Sequence, residues 1–284
     1  MKALVTGGGG FLGGVVVRKQ LERGDAVRSF TRTAYPWLAE LGVEQAHGDL
    51  ADPEAVARAV EGCDLVYHVA AKAGVWGRYA DFHATNVVGT ENVLAACKRH
   101  GVRRLVYTST PSVVHGGGSL EGADESVPYA KEYEAGYPET KAAAERAVLA
   151  ANGPDLATVA LRPHLVWGPG DPHLIPRVLR RARAGKLRRV GTHPVKVAVT
   201  YVDNAADAHV LAADKLAPGS PVAGKAYFIT DGETVDLWEF INRVLAAAGL
   251  PPVTKSVSVW KAKLAGRVLE WAYRPQTPAL AATW

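Results

Sequence analysis

The sequence predicts an α/β fold, a doubly wound parallel sheet of the Rossmann type with a smaller C-terminal lobe. Three observations support this prediction. Short apolar runs alternate with helical patterns over the first two thirds of the 284 residues. A glycine-rich loop joins the first run to the first helical pattern, and the alternation loosens after about Leu165. Strands that alternate with helices are typical of βαβ units, which assemble into parallel sheets.

Short apolar runs define the candidate strands of the sheet. They are Lys2–Val5, Ala26–Phe30, Glu44–His47, Leu65–Val69, Arg104–Thr108 and Thr158–Arg162. The candidate helices between them are Gly13–Arg23, Pro53–Val60, Asn86–His100 and Pro138–Ala151. The run from Leu65 to Val69 is almost wholly apolar, as expected of a strand that is buried on both faces.

The remaining sequence predicts most of the smaller lobe. Its expected elements are a basic helix at Ile175–Gly185, a strand at Lys196–Val202, a helix at Asn204–Leu216, a strand at Ala226–Thr230 and a helix at Leu237–Ala248. We therefore expect one domain over residues 1–165 and a lobe over residues 166–284, some segments of which return to the first domain. The amphipathic segment Val259–Tyr273 is interpreted as a packed terminal helix or as a surface for a membrane or partner.

Composition is that of an ordinary globular protein, with 48% hydrophobic and 21% charged residues. Cys63 and Cys97 do not have the spacing of metal ligands, so we expect reduced structural thiols, no metal site and a cytoplasmic location. We expect no targeting segment before the first strand. No uncharged apolar stretch reaches about 18 residues, so no transmembrane span is expected.

The net charge is +5 and the sequence pI about 9.1. Basic residues are dispersed apart from a cluster between Arg180 and Arg189, and no nucleic-acid-binding motif accompanies them. The charge therefore does not favour a nucleic-acid partner. A mild positive field favours an anionic cofactor and an acidic small-molecule substrate instead.

The loop at residues 6–14 reads Thr-Gly-Gly-Gly-Gly-Phe-Leu-Gly-Gly. Gly7, Gly10 and Gly13 match the pattern G-x-x-G-x-x-G, and Gly8 with the last two matches G-x-G-x-x-G. Glycines between a first strand and a first helix let the backbone approach a pyrophosphate, whose charge the helix N-terminus favours. This context predicts a dinucleotide site. Its expected contacts are Gly7, Gly10, Phe11, Leu12 and Gly13.

The end of the second strand indicates which dinucleotide binds. An NAD-binding protein usually has Asp or Glu there, whereas this chain has Ser29-Phe-Thr-Arg32. Arg32, with Arg28 as a second candidate, can pair with a 2′-phosphate, so the sequence predicts NADPH (NADP⁺). After the third strand, Asp49 is expected either to bind the adenine amino group or to cap a turn or helix.

A second motif, Tyr137-Pro-Glu-Thr-Lys141, places a tyrosine and a lysine on one face of a helix. A neighbouring ammonium favours the phenolate and lowers the pKa of a tyrosine, which suits it to acid–base chemistry. Upstream, a strand ends in the hydroxyl-rich run Thr108-Ser-Thr110, where a hydroxyl can hydrogen-bond a substrate carbonyl. We expect Tyr137, Lys141 and one of these hydroxyls to form the catalytic group.

With these motifs, the chain resembles the extended short-chain dehydrogenase/reductase superfamily, specifically its 3β-hydroxysteroid dehydrogenase-like branch. Within that branch it is similar to the ketoreductases of bacterial long-chain olefin biosynthesis. The resemblance covers roughly residues 1–255. The matching stretches are Thr6–Gly13, His68–Gly77, Asn86–Thr90, Tyr107–Val114, Tyr137–Lys141, Leu161–Pro172 and Tyr201–Ala205.

The resemblance implies an NAD(P)-dependent oxidoreductase in which Tyr137 donates a proton, assisted by Thr110 and Lys141. Family members often have Ser at the position of Thr110, and Ser109 is a less favoured substitute for it. The resemblance also implies cofactor contacts from Leu50, Ala70, Lys141 and Pro163. The lobe would then bind the substrate. Pocket candidates are Lys72, Trp76, His164 and Trp167, with Arg78 and Arg162 as further cations for a carboxylate.

The leading hypothesis is NADPH-dependent reduction of a 2-alkyl-3-ketoalkanoic acid to the 3-hydroxy acid. Oxidation of a 3β-hydroxysteroid, for example one with a C4 carboxylate, is the alternative reaction, and a nucleotide-sugar epimerase is third. A non-catalytic NADPH-sensing protein is the alternative outside enzymes. The leading hypothesis also implies a lipid-like substrate and contacts with other olefin-pathway enzymes. The resemblance leaves the oligomeric state open, although homodimers are common in such folds, and a location at the membrane periphery is the alternative to a purely cytoplasmic one.

Overall fold

The structure is a computed structural model, and it describes residues 1–74, 76–117, 120–262, 264 and 266. The chain divides into two compact units. Unit 1 comprises Met1–His164 and Val202–Ile229, and unit 2 comprises Leu165–Tyr201 and the chain from Thr230 onward. The chain therefore leaves unit 1 after residue 164, returns to it for one helix and one strand, and leaves it again.

Thirteen strands and nine α-helices can be bounded among the described residues, and residues 259–262 are helical as well. The strands are β1 Lys2–Thr6, β2 Ala26–Thr31, β3 Glu44–His47, β4 Leu65–His68, β5 Arg104–Thr108, β6 Ala157–Pro163, β7 Val166–Trp167, β8 Arg189–Val190, β9 Lys196–Ala198, β10 Thr200–Tyr201, β11 Lys225–Ile229, β12 Thr234–Asp236 and β13 Ser256–Val257. The helices are α1 Phe11–Glu22, α2 Pro36–Glu40, α3 Pro53–Val60, α4 Tyr79–His83, α5 Gly89–Arg99, α6 Gly136–Ala150, α7 Leu174–Arg183, α8 Val202–Lys215 and α9 Leu237–Ala247.

Seven strands of unit 1 form one parallel sheet in the order β3-β2-β1-β4-β5-β6-β11. This order confirms the predicted doubly wound fold, with β11 added at one edge. The strand order reverses between β1 and β4, and ligands of such sheets bind beyond the carboxyl ends of the strands at this point. Every residue of β4 is buried, as its apolar sequence predicts.

Helices cover the sheet because its strands are apolar on both faces. A continuous core joins the sheet to α3, α5 and α6 and includes Val56, Val93 and Val148. Helix α8 packs on α1, and two ion pairs connect α8 to α1 and to the residue that caps it. Lys19 lies 2.7 Å from Asp207, and Arg23 lies 2.7 Å from Asp214. The returning helix therefore completes the packing of unit 1.

The helix predicted at Asn86–His100 differs from the structure at its start. Helix α4 runs into a π-helical turn, Ala84–Val88, before α5 begins. Inside this turn, the buried Asn86 accepts a hydrogen bond from the Lys72 amide (2.7 Å). It donates to the Lys72 carbonyl (3.1 Å) and to Thr140 Oγ1 (3.0 Å). Hydrophobic periodicity does not report such side-chain bonds, so the sequence predicts one uninterrupted helix.

In unit 2, three two-stranded ladders pair β7 with β10, β9 with β12 and β8 with β13. Helices α7 and α9 pack together around Val178, Ile241 and Leu245. The strand predicted at Lys196–Val202 is divided into β9 and β10. Most of the C-terminal half of Val259–Tyr273 lies outside the described residues. Within the described part of the chain, no helix is both long and apolar enough to cross a membrane.

A buried ion pair connects α6 to β6 in unit 1. Arg162 donates from Nη2 to Glu145 Oε1 (2.6 Å) and from Nε to Oε2 (3.0 Å). The side chains are 4% and 0% exposed. Tyr129 donates a third hydrogen bond to Glu145 at 2.7 Å. The charges have lost their hydration, so each is stable only in the presence of its partner.

We predict that Arg162→Met lowers the free energy of unfolding by about 3–5 kcal/mol because it leaves the Glu145 carboxylate buried without a counterion. Urea unfolding measures the change. The double variant Glu145→Leu/Arg162→Met removes both charges and should be more stable than either single variant. Additive losses in the double variant would contradict this account.

Candidate active site

The glycine loop between β1 and α1 has no room for side chains at two of its fingerprint positions. Gly7 has φ +72°, and a Cβ there would lie 3.0 Å from the Ala70 Cα. A Cβ at Gly13 would lie 2.8 Å from the Gly7 carbonyl carbon. Gly10, by contrast, is exposed at the start of α1. The loop therefore has the bare backbone and the helix N-terminus that a dinucleotide pyrophosphate requires. Phe11 and Leu12 form the first turn of this helix.

The two arginines of the second strand have different environments. Arg28 is bound inside the fold. Its Nε donates to Glu44 (2.8 Å), and its Nη1 donates to the carbonyls of Ala59 and Glu61, each at 2.7 Å. The alternative that Arg28 binds a 2′-phosphate is therefore wrong. Arg32 is exposed one residue beyond β2, and none of the described residues forms a hydrogen bond or ion pair with its guanidinium.

Other expected cofactor contacts lie at the same edge of the sheet. Asp49 is exposed, and its Oδ1 accepts a hydrogen bond from the Ala51 amide (2.9 Å), so it stabilises a turn. Leu50 packs its side chain into the core and accepts a hydrogen bond on its carbonyl from Asn92 (2.8 Å). Ala70 donates its amide to Thr6 Oγ1 (3.1 Å). Pro163 is buried as the last residue of β6.

The predicted catalytic residues lie together in unit 1. Tyr137 and Lys141 occupy the first two turns of α6, and Thr110 follows β5. Desolvation raises the pKa of Tyr137 to about 12, and a hydrogen bond with the Thr110 side chain acts in the opposite direction. The hydroxyls of Thr110 and Tyr137 are thus neighbours. The Ser109 hydroxyl is buried and has no hydrogen-bond partner among the described residues. The contact with Tyr137 therefore favours Thr110 over Ser109 as the catalytic hydroxyl.

The ammonium group of Lys141 is bound at the carboxyl end of β5. Its Nζ donates to the Thr108 carbonyl (2.6 Å) and lies 4.1 Å from the centre of the Tyr107 ring. Burial lowers the pKa of Lys141 to about 7, although the charge of Glu145 opposes the change. The expectation that Lys141 lowers the pKa of Tyr137 does not hold in this arrangement, because desolvation dominates and raises it.

Two further polar residues of the site lie in stretches that carry the family resemblance, although the sequence assigned neither of them a role. Ser112 places its hydroxyl 2.9 Å from Thr110 Oγ1, and its amide donates to the same oxygen (3.3 Å). Asn86 lies in the π-helical turn and binds Thr140, the residue before Lys141. The Thr110-Pro-Ser112 spacing is a usable signal for Ser112. For Asn86 the signal is its place at the start of the matching stretch Asn86–Thr90, because helical periodicity alone does not single it out.

A buried histidine joins the strand that carries the glycine loop to the start of α5. His68 Nδ1 lies 2.8 Å from Thr6 Oγ1, and His68 Nε2 lies 3.0 Å from Thr90 Oγ1. Thr90 donates its own proton to the Asn86 carbonyl (2.6 Å), so Nε2 of His68 carries a proton and Nδ1 accepts one from Thr6. Burial lowers the pKa of His68 to about 3.

The candidate substrate residues have mixed environments. Lys72 and Arg78 both form ion pairs with Asp81, at 3.1 and 2.8 Å, so a substrate carboxylate would compete with Asp81 for them. Arg162 is part of the buried ion pair, which corrects its assignment to the pocket. Trp76 is 56% exposed. The remaining candidates are His164, which donates its amide to Ile229 in unit 1, and Trp167, which packs on Tyr201 and Phe240 in unit 2.

Comparison with known proteins links this site to an enzyme family. The model of the 3-beta hydroxysteroid dehydrogenase/isomerase family matches residues 4–259. The chain is 56% identical over 273 residues to a 2-alkyl-3-oxoalkanoate reductase of Stenotrophomonas maltophilia, covering 95% of this chain and 82% of that protein. It is 41% identical over 258 residues to a 3 beta-hydroxysteroid dehydrogenase/Delta 5→4-isomerase of Mycobacterium tuberculosis, covering 87% of this chain and 70% of that protein.

A solved structure has the same fold. The UDP-glucose 4-epimerase of Thermus thermophilus, in complex with NAD, superimposes with a TM-score of 0.76 at 30% identity. The match covers 91% of this chain and 86% of that one. The extended short-chain dehydrogenase/reductase resemblance drawn from the motifs is thereby confirmed.

The buried histidines predict a defined dependence of stability on pH. His68 has a folded pKa of about 3 and His209 of about 4, both lowered by burial from an ordinary value near 6.5. Below pH 6.5 the unfolded chain gains protons that the folded chain does not bind. Stability is therefore lost as pH falls from 6.5 towards 4, by about 1.4 kcal/mol per pH unit and histidine.

Chemical denaturation between pH 7 and 4 measures this slope. His68→Gln keeps a neutral polar side chain and should make the slope shallower by the share of one histidine. If the variant and the parent have equal slopes, His68 is not neutral in the folded state as described.

Proposed function

Because the chain belongs to the 3-beta hydroxysteroid dehydrogenase/isomerase family, we propose that it reduces a 2-alkyl-3-oxoalkanoic acid to the 3-hydroxy acid with NADPH. The chain is an NAD(P)-dependent oxidoreductase with a Rossmann-type fold. The single observation that carries the substrate proposal is its similarity, over almost its whole length, to the Stenotrophomonas reductase. A role in long-chain olefin biosynthesis extends this proposal.

NADPH, when bound, supplies the hydride for the ketone carbon. In the proposed arrangement, the backbone around Gly7, Gly10 and Gly13 binds the pyrophosphate, and Arg32 pairs with the 2′-phosphate. No acidic side chain follows Arg32 at the end of β2 to repel that phosphate. Residues 1–165 then form most of the cofactor site, and the lobe after residue 166 selects the substrate.

The catalytic residues have the chemistry that a ketone reduction needs. Tyr137 is protonated at neutral pH, since its pKa lies at about 12, and it donates that proton from Oη as charge develops on the substrate oxygen. Thr110 donates a second hydrogen bond to the same oxygen, with its own hydroxyl held by Ser112. Lys141 has a pKa of about 7, so it gains or loses a proton at little cost near neutral pH.

Oxidation of a 3β-hydroxysteroid is the second candidate. The observation that favours it is the 3 beta-hydroxysteroid dehydrogenase of Mycobacterium tuberculosis among the relatives. The same three catalytic residues serve either direction, because the proton donor of the reduction is the proton acceptor of the oxidation. A non-catalytic NADPH sensor is disfavoured, since the chain keeps both Tyr137 and Lys141.

We predict that the enzyme consumes NADPH with a 2-alkyl-3-oxoalkanoic acid, and that its kcat/KM for NADPH exceeds that for NADH by at least about tenfold, the value of one charge-assisted contact. Loss of NADPH absorbance measures turnover. A 3β-hydroxysteroid with NAD⁺ or NADP⁺ is the parallel assay. Turnover with the steroid alone would replace the substrate proposal with the second candidate, and a preference for NADH would remove the cofactor proposal.

We predict that Tyr137→Phe lowers kcat by about 100-fold or more, because the proton donor is lost, while the Kd for NADPH changes less than about twofold. Steady-state kinetics and cofactor titration by fluorescence measure the two quantities. Tyr227→Phe, on the edge strand β11, is the matched control and should change neither. Persistence of full turnover in Tyr137→Phe would exclude this tyrosine as the acid.

A further inference from the structure

The segment that follows β2 lies against the glycine loop through two aromatic side chains. Tyr35 packs its ring on Gly9, and Trp37 packs its ring on Gly14, where a Cβ would lie 3.2 Å from the indole. The guanidinium of Arg18, a residue of α1, lies 4.8 Å from the centre of the Trp37 ring. The segment that carries Arg32 is thereby seated on the loop that the pyrophosphate requires.

The contact between Tyr35 and Gly9 is unusually close. A Cβ at Gly9 would lie 2.6 Å from Tyr35 Cγ and closer still to two other ring atoms, and the three nearest atoms all belong to this ring. Gly9 is not one of the three glycines of the G-x-x-G-x-x-G pattern. Its φ lies outside the left-handed region, so its backbone also suits alanine. The missing side chain at position 9 therefore serves the approach of Tyr35.

The backbone of Tyr35 is fixed as well. Its amide donates to Gln45 Oε1 on β3 (2.9 Å), and its carbonyl accepts from the Leu38 amide (3.0 Å) at the start of α2. Thr31 Oγ1 donates to the Thr33 carbonyl (2.8 Å) and bends the chain between β2 and Tyr35. Arg32 thus lies on a short loop that is attached at both ends, although its own side chain is exposed.

We propose that Tyr35 is a positioning residue for the 2′-phosphate of NADPH. Its ring, seated on Gly9, holds the segment from Thr31 to Tyr35 on the glycine loop and thereby determines where the Arg32 guanidinium meets the phosphate. The inference rests on the proposed NADPH preference. A ligand that binds a preorganised loop does not have to order that loop. If the loop is displaced in part of the molecules, the apparent Kd rises in inverse proportion to the fraction of molecules that keep the loop in place.

The test measures the Kd of NADPH and NADH without substrate, by fluorescence or calorimetry. Tyr35→Ala should raise the Kd of NADPH about tenfold if only about a tenth of the molecules keep the loop in place. The Kd of NADH should change less than about twofold, because NADH has no 2′-phosphate. Tyr35→Phe keeps the ring and should restore the NADPH affinity. Thermal unfolding without cofactor checks that each variant is folded.

Gly9 provides an independent test. Gly9→Ala displaces the Tyr35 ring and should weaken NADPH binding as Tyr35→Ala does. Because the two changes act on one contact, the double variant Gly9→Ala/Tyr35→Ala should bind NADPH no more weakly than Tyr35→Ala alone. Additive losses, or equal losses for NADPH and NADH in Tyr35→Ala, would overturn the inference.

Arg32→Ala separates this inference from the proposal on which it rests. This variant should raise the Kd of NADPH about 10-fold or more and leave the Kd of NADH unchanged, as expected for the loss of one charged contact. If Arg32→Ala changes the NADPH-to-NADH ratio and Tyr35→Ala does not, the role of Tyr35 is wrong and the cofactor proposal stands. If Arg32→Ala leaves the ratio unchanged, the cofactor proposal and the role of Tyr35 both fall.

Discussion

The site depends on one constraint, that most polar side chains buried at the carboxyl edge of the parallel sheet find partners inside the protein. At the switch point, the hydrogen bonds between Thr6, His68 and Thr90 satisfy this constraint for β1 and β4. They fix the end of β1, from which the glycine loop starts, relative to the end of β4 and the start of α5. Because each hydrogen in this series of hydrogen bonds has one available acceptor, the tautomer of His68 is fixed as well. A single set of side-chain bonds therefore positions the cofactor loop.

The same constraint extends to the catalytic helix. Asn86, in the π-helical turn, binds Thr140 of α6, and Thr140 in turn donates to the Gly136 carbonyl (2.7 Å). An extra residue in a helix turns a side chain to a direction that a regular helix would not allow, and such turns are frequent at functional sites. Here Thr90 at the start of α5 reaches the strand that bears the cofactor loop through His68, and Asn86 in the turn binds the helix that bears Tyr137 and Lys141.

The sequence predicts those parts of the site that rest on backbone geometry or fixed spacing. The glycine loop and the Tyr137–Lys141 pair are recognisable because sterics and helical periodicity dictate them. The sequence does not reveal how two similar side chains divide between structure and binding. Arg28 and Arg32 are both plausible phosphate ligands until the fold brings Glu44 and two carbonyls around Arg28. The sequence also does not show how strongly desolvation acts compared with a neighbouring charge. For this reason the pKa of Tyr137 is raised in the structure, whereas the motif predicts that it is lowered.

Three side chains along α6 show how stability and chemistry are combined. Tyr137, Lys141 and Glu145 are spaced four residues apart, so they share one face of the helix. Arg162 holds Glu145 at the buried end, and the negative charge of Glu145 raises the pKa of Lys141 against the larger effect of burial. Without Glu145, burial alone would shift the lysine further towards its neutral form. The ion pair that stabilises the helix thus also keeps its lysine able to carry a charge near pH 7, one helical turn from the tyrosine.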